Sequence, residues 1–508
     1  MKNDIDKNPG MIKDIIASGN EVGIGIRSLK GTNFYSVCAE IDYVRSRLEA
    51  MGASPTLAMQ PWGAVDDDTR EAVSAMGLTM ITPYINVVRS DMKDCTSEED
   101  AVNNLFGEHV YALGRGWIVY FRLDYYTDHT MAGKVLDLIK RKKIDNIAYN
   151  SFYDDPKINT ANNDSAYSIK PAGEILANSA YRYSFSSKAN VPERLRGEYN
   201  EMTADKLSFK NYIKQRFIGN DAVGPDSNAY GFSLAEMKSF DQTGRIHTND
   251  PVVFFTFDDW GTDASINPLL YVLRKHNVKG NFFILTHNVM SNPNLLRTIA
   301  MEGHDIGAHS DWHKPMTTQN TRTNVQEKST QSREEYMQDL HDCYTKLETI
   351  VGDVVINGHP ALNRYFRPPQ LTVSKMGFEC LYANGYTYII DGSYSTHDYD
   401  QPNIYSMLND IKKGIYDENG RVRKGAVLVM HMSDNAEYTA RALDLLLTAN
   451  EQRPDGDPAK FTPARLSDYL KDGYDQSNPV HDETEAASSG TDSAGYLYTN
   501  SGYGMGGE

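Results

Sequence analysis

Phe254-Phe255-Thr256-Phe257-Asp258-Asp259-Trp260-Gly261 sets an apolar run against two adjacent carboxylates and a turn. A short, continuous apolar run bounded by turn residues reads as a strand buried on both faces. Similar runs at Val252–Phe257, Asn281–Ile284, Asp305–Ala308, Tyr386–Ile390 and Ala426–Met430 alternate with helix-period stretches at Asn267–His276, Arg333–Ile350 and Thr439–Thr448. That alternation predicts a parallel sheet or an α/β barrel over residues 250–476. In such folds the carboxyl ends of the strands carry the site, which is where Asp258 and Asp259 stand.

The rest of the chain narrows the field. Its 508 residues carry 51 Lys and Arg against 68 Asp and Glu, a net charge of −17. So acidic a chain is no general nucleic-acid binder, because phosphate backbones select clustered cations. There is no run of 18 apolar residues, so no membrane span is expected. Cys38, Cys95, Cys343 and Cys380 are scattered without a C-x-x-C pair, which speaks against a disulfide framework and a thiolate zinc site. Residues 477–508 are Gly, Ser, Asp and Tyr without periodicity and read as a disordered tail.

An internal echo organises the front of the chain. Asn8-Pro9-Gly10-Met11-Ile12-Lys13-Asp14-Ile15, running on to Gly23-Ile24-Gly25, parallels Asn292-Pro293-Asn294-Leu295-Leu296-Arg297-Thr298-Ile299, running on to Gly307-Ala308-His309. The offset, 292 against 8, is 284. Each copy reads as a helix opening on Pro, a Gly stop and a short buried strand. A second echo pairs Gly116–Arg122 with Gly425–His431. Residues 1–149 are therefore expected to be a degenerate copy of residues 250–476, with 150–249 connecting them in a role the sequence does not name. Counterparts of the strands at Val252 and Asn281 would precede Met1. Either this copy lacks its opening strands or the chain continues upstream, where an export signal could lie. Met1 to Lys7 carries no secretory signal.

Polar clusters punctuate the strand ends of residues 250–476. His309-Ser310-Asp311-Trp312-His313 places two imidazoles four residues apart, able to converge on one cation. With one carboxylate of the Asp258-Asp259 pair they make two His and one Asp with a position left open, the catalytic pattern for zinc. The spacing alone does not choose the ligand, and the other aspartate is then available as a base. Arg367-Pro368-Pro369-Gln370 stiffens the chain around an Arg that could hold a carboxylate. Asp391 and Asp398-Tyr399 follow the strand Tyr386–Ile390, and Leu428-Val429-Met430-His431 ends another on a His.

Taken together and in this order, these clusters closely resemble the polysaccharide deacetylases (carbohydrate esterase family 4, the NodB-homology domain). The family shows Thr-Phe-Asp-Asp, His-(Ser/Thr)-x-x-His, Arg-x-Pro-(Tyr/Phe), a motif ending Asp-(Trp/Tyr), and Leu-x-x-His. The resemblance covers about 230 residues. It implies a distorted (β/α) barrel that removes acetyl groups from N-acetylated sugars with a divalent metal, most commonly Zn2+. It implies Asp258 as general base, Asp259, His309 and His313 as metal ligands, and Arg367 as the residue positioning the base. It further implies His431 as general acid tuned by Asp398, with Gln370, Tyr399 and Val429 facing substrate.

Three positions depart from that pattern. Trp260 stands where Gly is commonest, with Gly261 following; Gln370 stands where an aromatic is usual; and Asp391–Asp398 is longer and more polar than the usual fourth motif. These bear on the substrate more than on the reaction. In the first copy Gly25 and Leu29 stand at the two His positions, Met59-Gln60-Pro61-Trp62 resembles the Arg motif without its Arg, and Arg122 replaces the final His. That copy is expected to have lost catalysis, leaving a structural or sugar-binding duty. The expected substrate is an acetylated glycan of chitin, peptidoglycan or poly-N-acetylglucosamine type, met outside the cell or in its envelope, as the family's usual substrates imply. Acetylated xylan, a small amide, a non-catalytic glycan-binding role and iron-based oxygen chemistry are the alternatives. The spare carboxylate and His431 favour hydrolysis over the last.

Overall fold

The computed structural model describes residues 2–27, 32–61, 64–83, 85–86, 93–103, 118–141, 170–177, 208–223, 229–320, 323, 325–470 and 474. These fall into two compact units, one ending at Ala177 and one beginning at Ser208. The expected tail at 477–508, Leu29, Trp62 and much of 150–249 lie outside the described residues.

The first unit holds a parallel sheet of Ile24–Gly25, Leu57–Met59 and Thr79–Met80. Helix Phe34–Ala50 opens on a capping box between Asn33 and Ser36 and buries Val37, Ile41, Val44 and Leu48. Their spacing of four, three and four is one face of a helix. Ile24, Ile26, Ala58, Ala72 and Val73 complete that core. Helices Pro9–Ala17 and Pro293–Met301 each span nine residues, open on their Pro, and stand at the 284-residue offset of the repeat.

The second unit is built on one sheet. We number its strands β1 (Phe217–Ile218), β2 (Val252–Asp259), β3 (Asn281–Ile284), β4 (Asp305–Ala308), β5 (Leu362–Phe366), β6 (Tyr388–Ile390), β7 (Tyr394–Ser395), β8 (Ala426–His431) and β9 (Thr462–Pro463). Their order is β7-β8-β2-β3-β4-β5-β6-β1, every pairing is parallel, and β9 joins the first residues of β2. Because β6 runs into β7 through only Asp391, Gly392 and Ser393, the two ends of this order are tied together. Three residues reach about 10 Å at most. Asp391 donates its N–H to Ile218 O of β1, and Ser393 donates to Val427 O of β8. The sheet therefore curls into a distorted (β/α) barrel. Gly392 makes the crossing at φ 122°, and a Cβ there would meet Val429 Cγ2 at 2.8 Å. Phe217–Ile218 supplies an edge strand of this barrel from within the 150–249 stretch.

Strand alternation sorts the barrel interior into layers. Val252 and Phe254 of β2, Phe283 of β3, Tyr365 of β5, Ile390 of β6 and Val427 of β8 fill its lower half. Two residues further along the same faces come Thr256, Arg367 and Val429, then Asp258 and His431. A C-terminal segment closes the floor. Asn281 Oδ1 accepts the Leu466 N–H at 2.6 Å, and its amide donates to Phe255 O and Ala464 O. Asp305 accepts the Ser467 N–H and hydroxyl at 2.8 and 2.7 Å. Leu466 and Leu470 enter the core above them.

The flanking helices start where local chemistry dictates. Helix Arg333–Val351, here α1, opens on a capping box between Ser332 and Glu335. Helix Thr439–Glu451, here α2, follows β8 and puts Thr439 in its first turn. No helix of the described residues is long and apolar enough to cross a membrane, and all four cysteines are free thiols.

Candidate metal and catalytic site

Adjacent strand residues point to opposite faces, so Asp258 and Asp259 cannot both enter the barrel mouth from a regular strand. Asp258 enters by alternation. Asp259 does so because its backbone turns left-handed, at φ 76°. Ser310 (φ 71°), His313 (55°), Gln370 (55°), Leu371 (52°) and His397 (47°) share that conformation, so six of the eight described non-glycine residues with positive φ cluster at the strand ends around this mouth. Such backbone costs of order 1–3 kcal/mol per residue and persists only where the surroundings enforce it. The Trp260 departure leaves the turn intact, because Gly261 supplies the close approach: no Cβ fits there against the Met432 carbonyl.

Asp259, His309 and His313 converge. Their ligand atoms lie within 4.8 Å of one another, with Asp259 Oδ1 at 3.6 Å from His309 Nε2 and 3.5 Å from His313 Nε2. Two ligands about 2.0–2.1 Å from one ion at tetrahedral angles sit roughly 3.3 Å apart, so the spacing fits a single cation. The protonation fits as well. Burial first, and the His313 ring second, hold His309 down at about 3, so the ring is neutral. Its Nδ1–H then donates to Arg367 O at 2.8 Å, leaving the Nε2 lone pair for an ion.

Beside the triad, Asp258 is buried against Arg367, whose Nη1 donates to Asp258 Oδ1 at 2.7 Å and to Thr256 Oγ1 at 2.6 Å. Arg367 Nε donates to Ile390 O, and its guanidinium lies 4.2 Å from the Phe283 ring centroid. Burial raises the Asp258 carboxyl above its ordinary value, with Arg367 and His431 opposing. The result is an aspartate that takes a proton more readily than a surface one. On the neighbouring strand His431 is in register with Asp258. Asp398 Oδ1 stands 2.6 Å from His431 Nδ1, and Oδ2 accepts the His431 N–H and the Thr439 hydroxyl. Burial alone would push the His431 ring down, but Asp398 overrides it, aided by Asp259 and Asp258, and holds it up at about 9.

Residues 245–389 match the family model for polysaccharide deacetylase. The chain carries a polysaccharide deacetylase domain. The matched span includes Asp258, Asp259, His309, His313, Arg367 and Gln370, while Asp398, Tyr399, Val429 and His431 follow it. The chain is 30% identical over 201 residues to the peptidoglycan-N-acetylglucosamine deacetylase PgdA of Listeria monocytogenes, covering 39% of this chain and 35% of that one. It thus spans about a third of the length of that relative. It is 27% identical over 245 residues to the peptidoglycan-N-acetylmuramic acid deacetylase PdaA of Bacillus subtilis, covering 45% of this chain and 83% of that one. The solved structure of that PdaA aligns at a TM-score of 0.34 and 22% identity over 44% of this chain and 83% of that one. A family 4 pseudoenzyme of Bacillus anthracis aligns at a TM-score of 0.34 and 22% identity, over 44% and 67%.

Within the deacetylase domain, most residues singled out from the sequence meet at one mouth. Tyr399 is partly exposed with its ring 5.2 Å from that of His431. Gln370 heads a tight turn in which the Leu371 and Thr372 N–H groups are taken by the Pro368 and Pro369 carbonyls. Val429 is 3% exposed, its carbonyl accepts from Thr396, and alternation along β8 sets it one layer beneath His431. Asp391, the other acid weighed for the fourth motif, is buried and accepts from Asn220 at 2.9 Å.

Sequence reasoning missed the residues that hold the loop bearing His309 and His313. Asp339 of α1 accepts the Asp311 and Trp312 N–H groups at 2.9 and 3.1 Å. Lys346, seven residues along the same helix, donates to Asp311 at 2.7 Å, and Thr286 does so at 2.5 Å. A signal was available: Asp339 interrupts the buried stripe of Tyr336, Leu340, Cys343, Tyr344 and Leu347.

Proposed function

We propose that this domain is a metal-dependent hydrolase that removes acetyl groups from N-acetylated sugars of a cell-wall polysaccharide, of peptidoglycan type, outside the cell or at its envelope. One observation carries the reading: a buried base, Asp258, and a raised acid, His431, flank a His-His-Asp triad on adjacent strands. The relatives named as peptidoglycan deacetylases support the choice of polymer.

Asp259, His309 and His313 would hold the cation, with zinc the ion best suited to two imidazoles and a carboxylate. When bound, it supplies Lewis-acid polarisation of the acetyl group. Asp258, oriented by Arg367, takes the proton of the attacking water. The Gln370 N–H, which its own turn does not use, is a donor for the oxygen on which charge develops. His431, kept protonated by Asp398, gives its proton to the departing sugar nitrogen. Acetate and a free amine leave.

The test is acetate release from peptidoglycan, chitin oligomers, poly-N-acetylglucosamine and acetylated xylan by zinc-loaded protein. Asp258→Asn should lose turnover by at least about a hundredfold while retaining its metal, and His313→Ala should lose the metal itself by elemental analysis. Near-normal turnover in the first, or full zinc in the second, would overturn those assignments.

The first unit is read, on the same footing, as a degenerate copy of this domain. The coincident helix bounds at the 284-residue offset support that. A cavity of about 800 Å³ beyond its strand ends, reaching Arg27, Pro61, Ile81 and Tyr120, suits a sugar-binding duty.

A further inference from the structure

The chain leaves His313 through Lys314, Pro315 and Met316 and at once forms a two-stranded hairpin, Thr317–Gln319 against Gln326–Ser329. Thr318 pairs with Lys328 but Gln319 pairs with Gln326, so Glu327 is an extra residue in the second strand. A bulge of this kind re-aims the side chains around it. Glu327 and Lys328 are exposed, while Gln326 is buried. A buried amide costs free energy unless its polar atoms are engaged. Here Gln326 Oε1 accepts twice, from Thr317 Oγ1 at 3.0 Å and from the Val373 N–H at 2.8 Å.

Val373 stands on the exit from the turn that carries Gln370. Gln370 (φ 55°, ψ 19°) and Leu371 (φ 52°) are two left-handed residues in succession, and neither is Gly. The entry to this turn is closed by its own bonds, Leu371 N–H to Pro368 O at 2.9 Å and Thr372 N–H to Pro369 O at 3.3 Å. On the exit side Thr372, Val373 and Ser374 are wholly buried, and Gln326 takes the Val373 N–H. Strained backbone persists only where its surroundings hold it. One side chain thus joins the hairpin that follows His313 to the turn that carries Gln370.

We infer that Gln326 is a positioning residue: by holding the Val373 N–H it fixes the Gln370–Leu371 turn and keeps the Gln370 N–H in place for the oxygen on which charge develops. A donor fixed in advance stabilises that charge without reorganising at the moment of reaction. Its contribution grows between ground state and transition state, so loosening it lowers kcat and leaves KM alone. This inference rests on the deacetylase reading for its purpose, though the hold on the turn can be measured without turnover.

The experiment uses metal-loaded full-length protein and the four glycans named above for turnover. The methylphosphonamidate of a glucosamine tetramer, a tetrahedral mimic with oxygen where charge develops, is the binding probe. Hydrogen exchange reads the amides of Leu371 to Ser374, and elemental analysis reads bound metal. In Gln326→Met, a near-isosteric change, those amides should exchange faster while metal content stays the same. On the glycan deacetylated fastest, kcat should fall at least about tenfold with KM unchanged, and the mimic should bind weaker by the same factor. Gln326→Glu keeps an acceptor for both donors and should recover most of the loss. A variant that merely holds fewer folded molecules loses kcat but binds the mimic with wild-type affinity, so that result overturns the proposal, as does unchanged exchange. If Gln326→Met does not fold, Gln326→Asn, which draws the acceptor back by one methylene, must show the same pattern. A wild-type protein that releases no acetate from any glycan removes the deacetylase reading, while faster exchange in the variant leaves the hold on the turn standing.

Discussion

In the proposed reaction His431 has to keep a proton until the leaving nitrogen needs it, and its surroundings decide whether it can. Burial works against the charged ring; Asp398, at 2.6 Å, works for it and wins, holding it at about 9. The sign follows directly. The acid form is present below about 9 and is lost above it, so turnover falls on the alkaline side through that value. Asp398→Asn removes the opposing charge and leaves burial, so the ring should drop toward or below its ordinary 6.5. The alkaline limb of kcat should move down by about two pH units, read from a pH–rate profile. An unmoved limb would mean that Asp398 does not set the proton on His431. These two side chains were legible in the sequence, because the final motifs place them at strand ends. What was not legible is that Asp398 grips the His431 backbone and ring together, since that depends on how β7 and β8 lie side by side.

Helix α1 reaches the loop bearing His309 and His313, the proposed ligands, without adding one of its own. Asp339 and Lys346 stand seven residues apart, two turns on one face, and between them satisfy Asp311 and Trp312. The loop they hold contains two left-handed residues, Ser310 and His313, whose backbone returns to an easier conformation once released. Asp339→Ala should therefore lower metal affinity by about 10- to 100-fold while leaving the helix folded, measured by chelator competition alongside circular dichroism. Affinity equal to wild type would make Asp339 a bystander. The elements themselves were largely readable. Strands at Asn281–Ile284 and Asp305–Ala308 and a helix starting at Arg333 stand where their apolar periods put them. The strand Phe217–Ile218 escaped, because two residues carry no period and its pairing with β6 is fixed by distant chain.

At the scale of the molecule, the barrel is open at the top and closed below. Its floor is the C-terminal segment received by Asn281 and Asp305. Burial pushes the Asp305 carboxyl up to about 6 from its ordinary 3.8, against the pull of Ser467. A folded value above the unfolded one means the folded state holds the proton more tightly. The stability this gives is fully present below about 3.8 and is lost as pH rises through about 6. Asp305→Asn keeps an acceptor for the Ser467 N–H and removes the ionisation. The decline in Tm between about pH 4 and pH 7 should flatten in this variant, and an unchanged slope would place that pH dependence elsewhere. The same floor sets the order of events at the ribosome. Strand β2 is made early, but the residues that complete its lower edge, Thr462 to Leu470, come some two hundred residues later. At roughly 5–20 residues per second, the half-built mouth must wait tens of seconds with its underside uncovered. Until Leu466 and Leu470 emerge, the apolar lower layer of the nascent barrel has no floor to cover it.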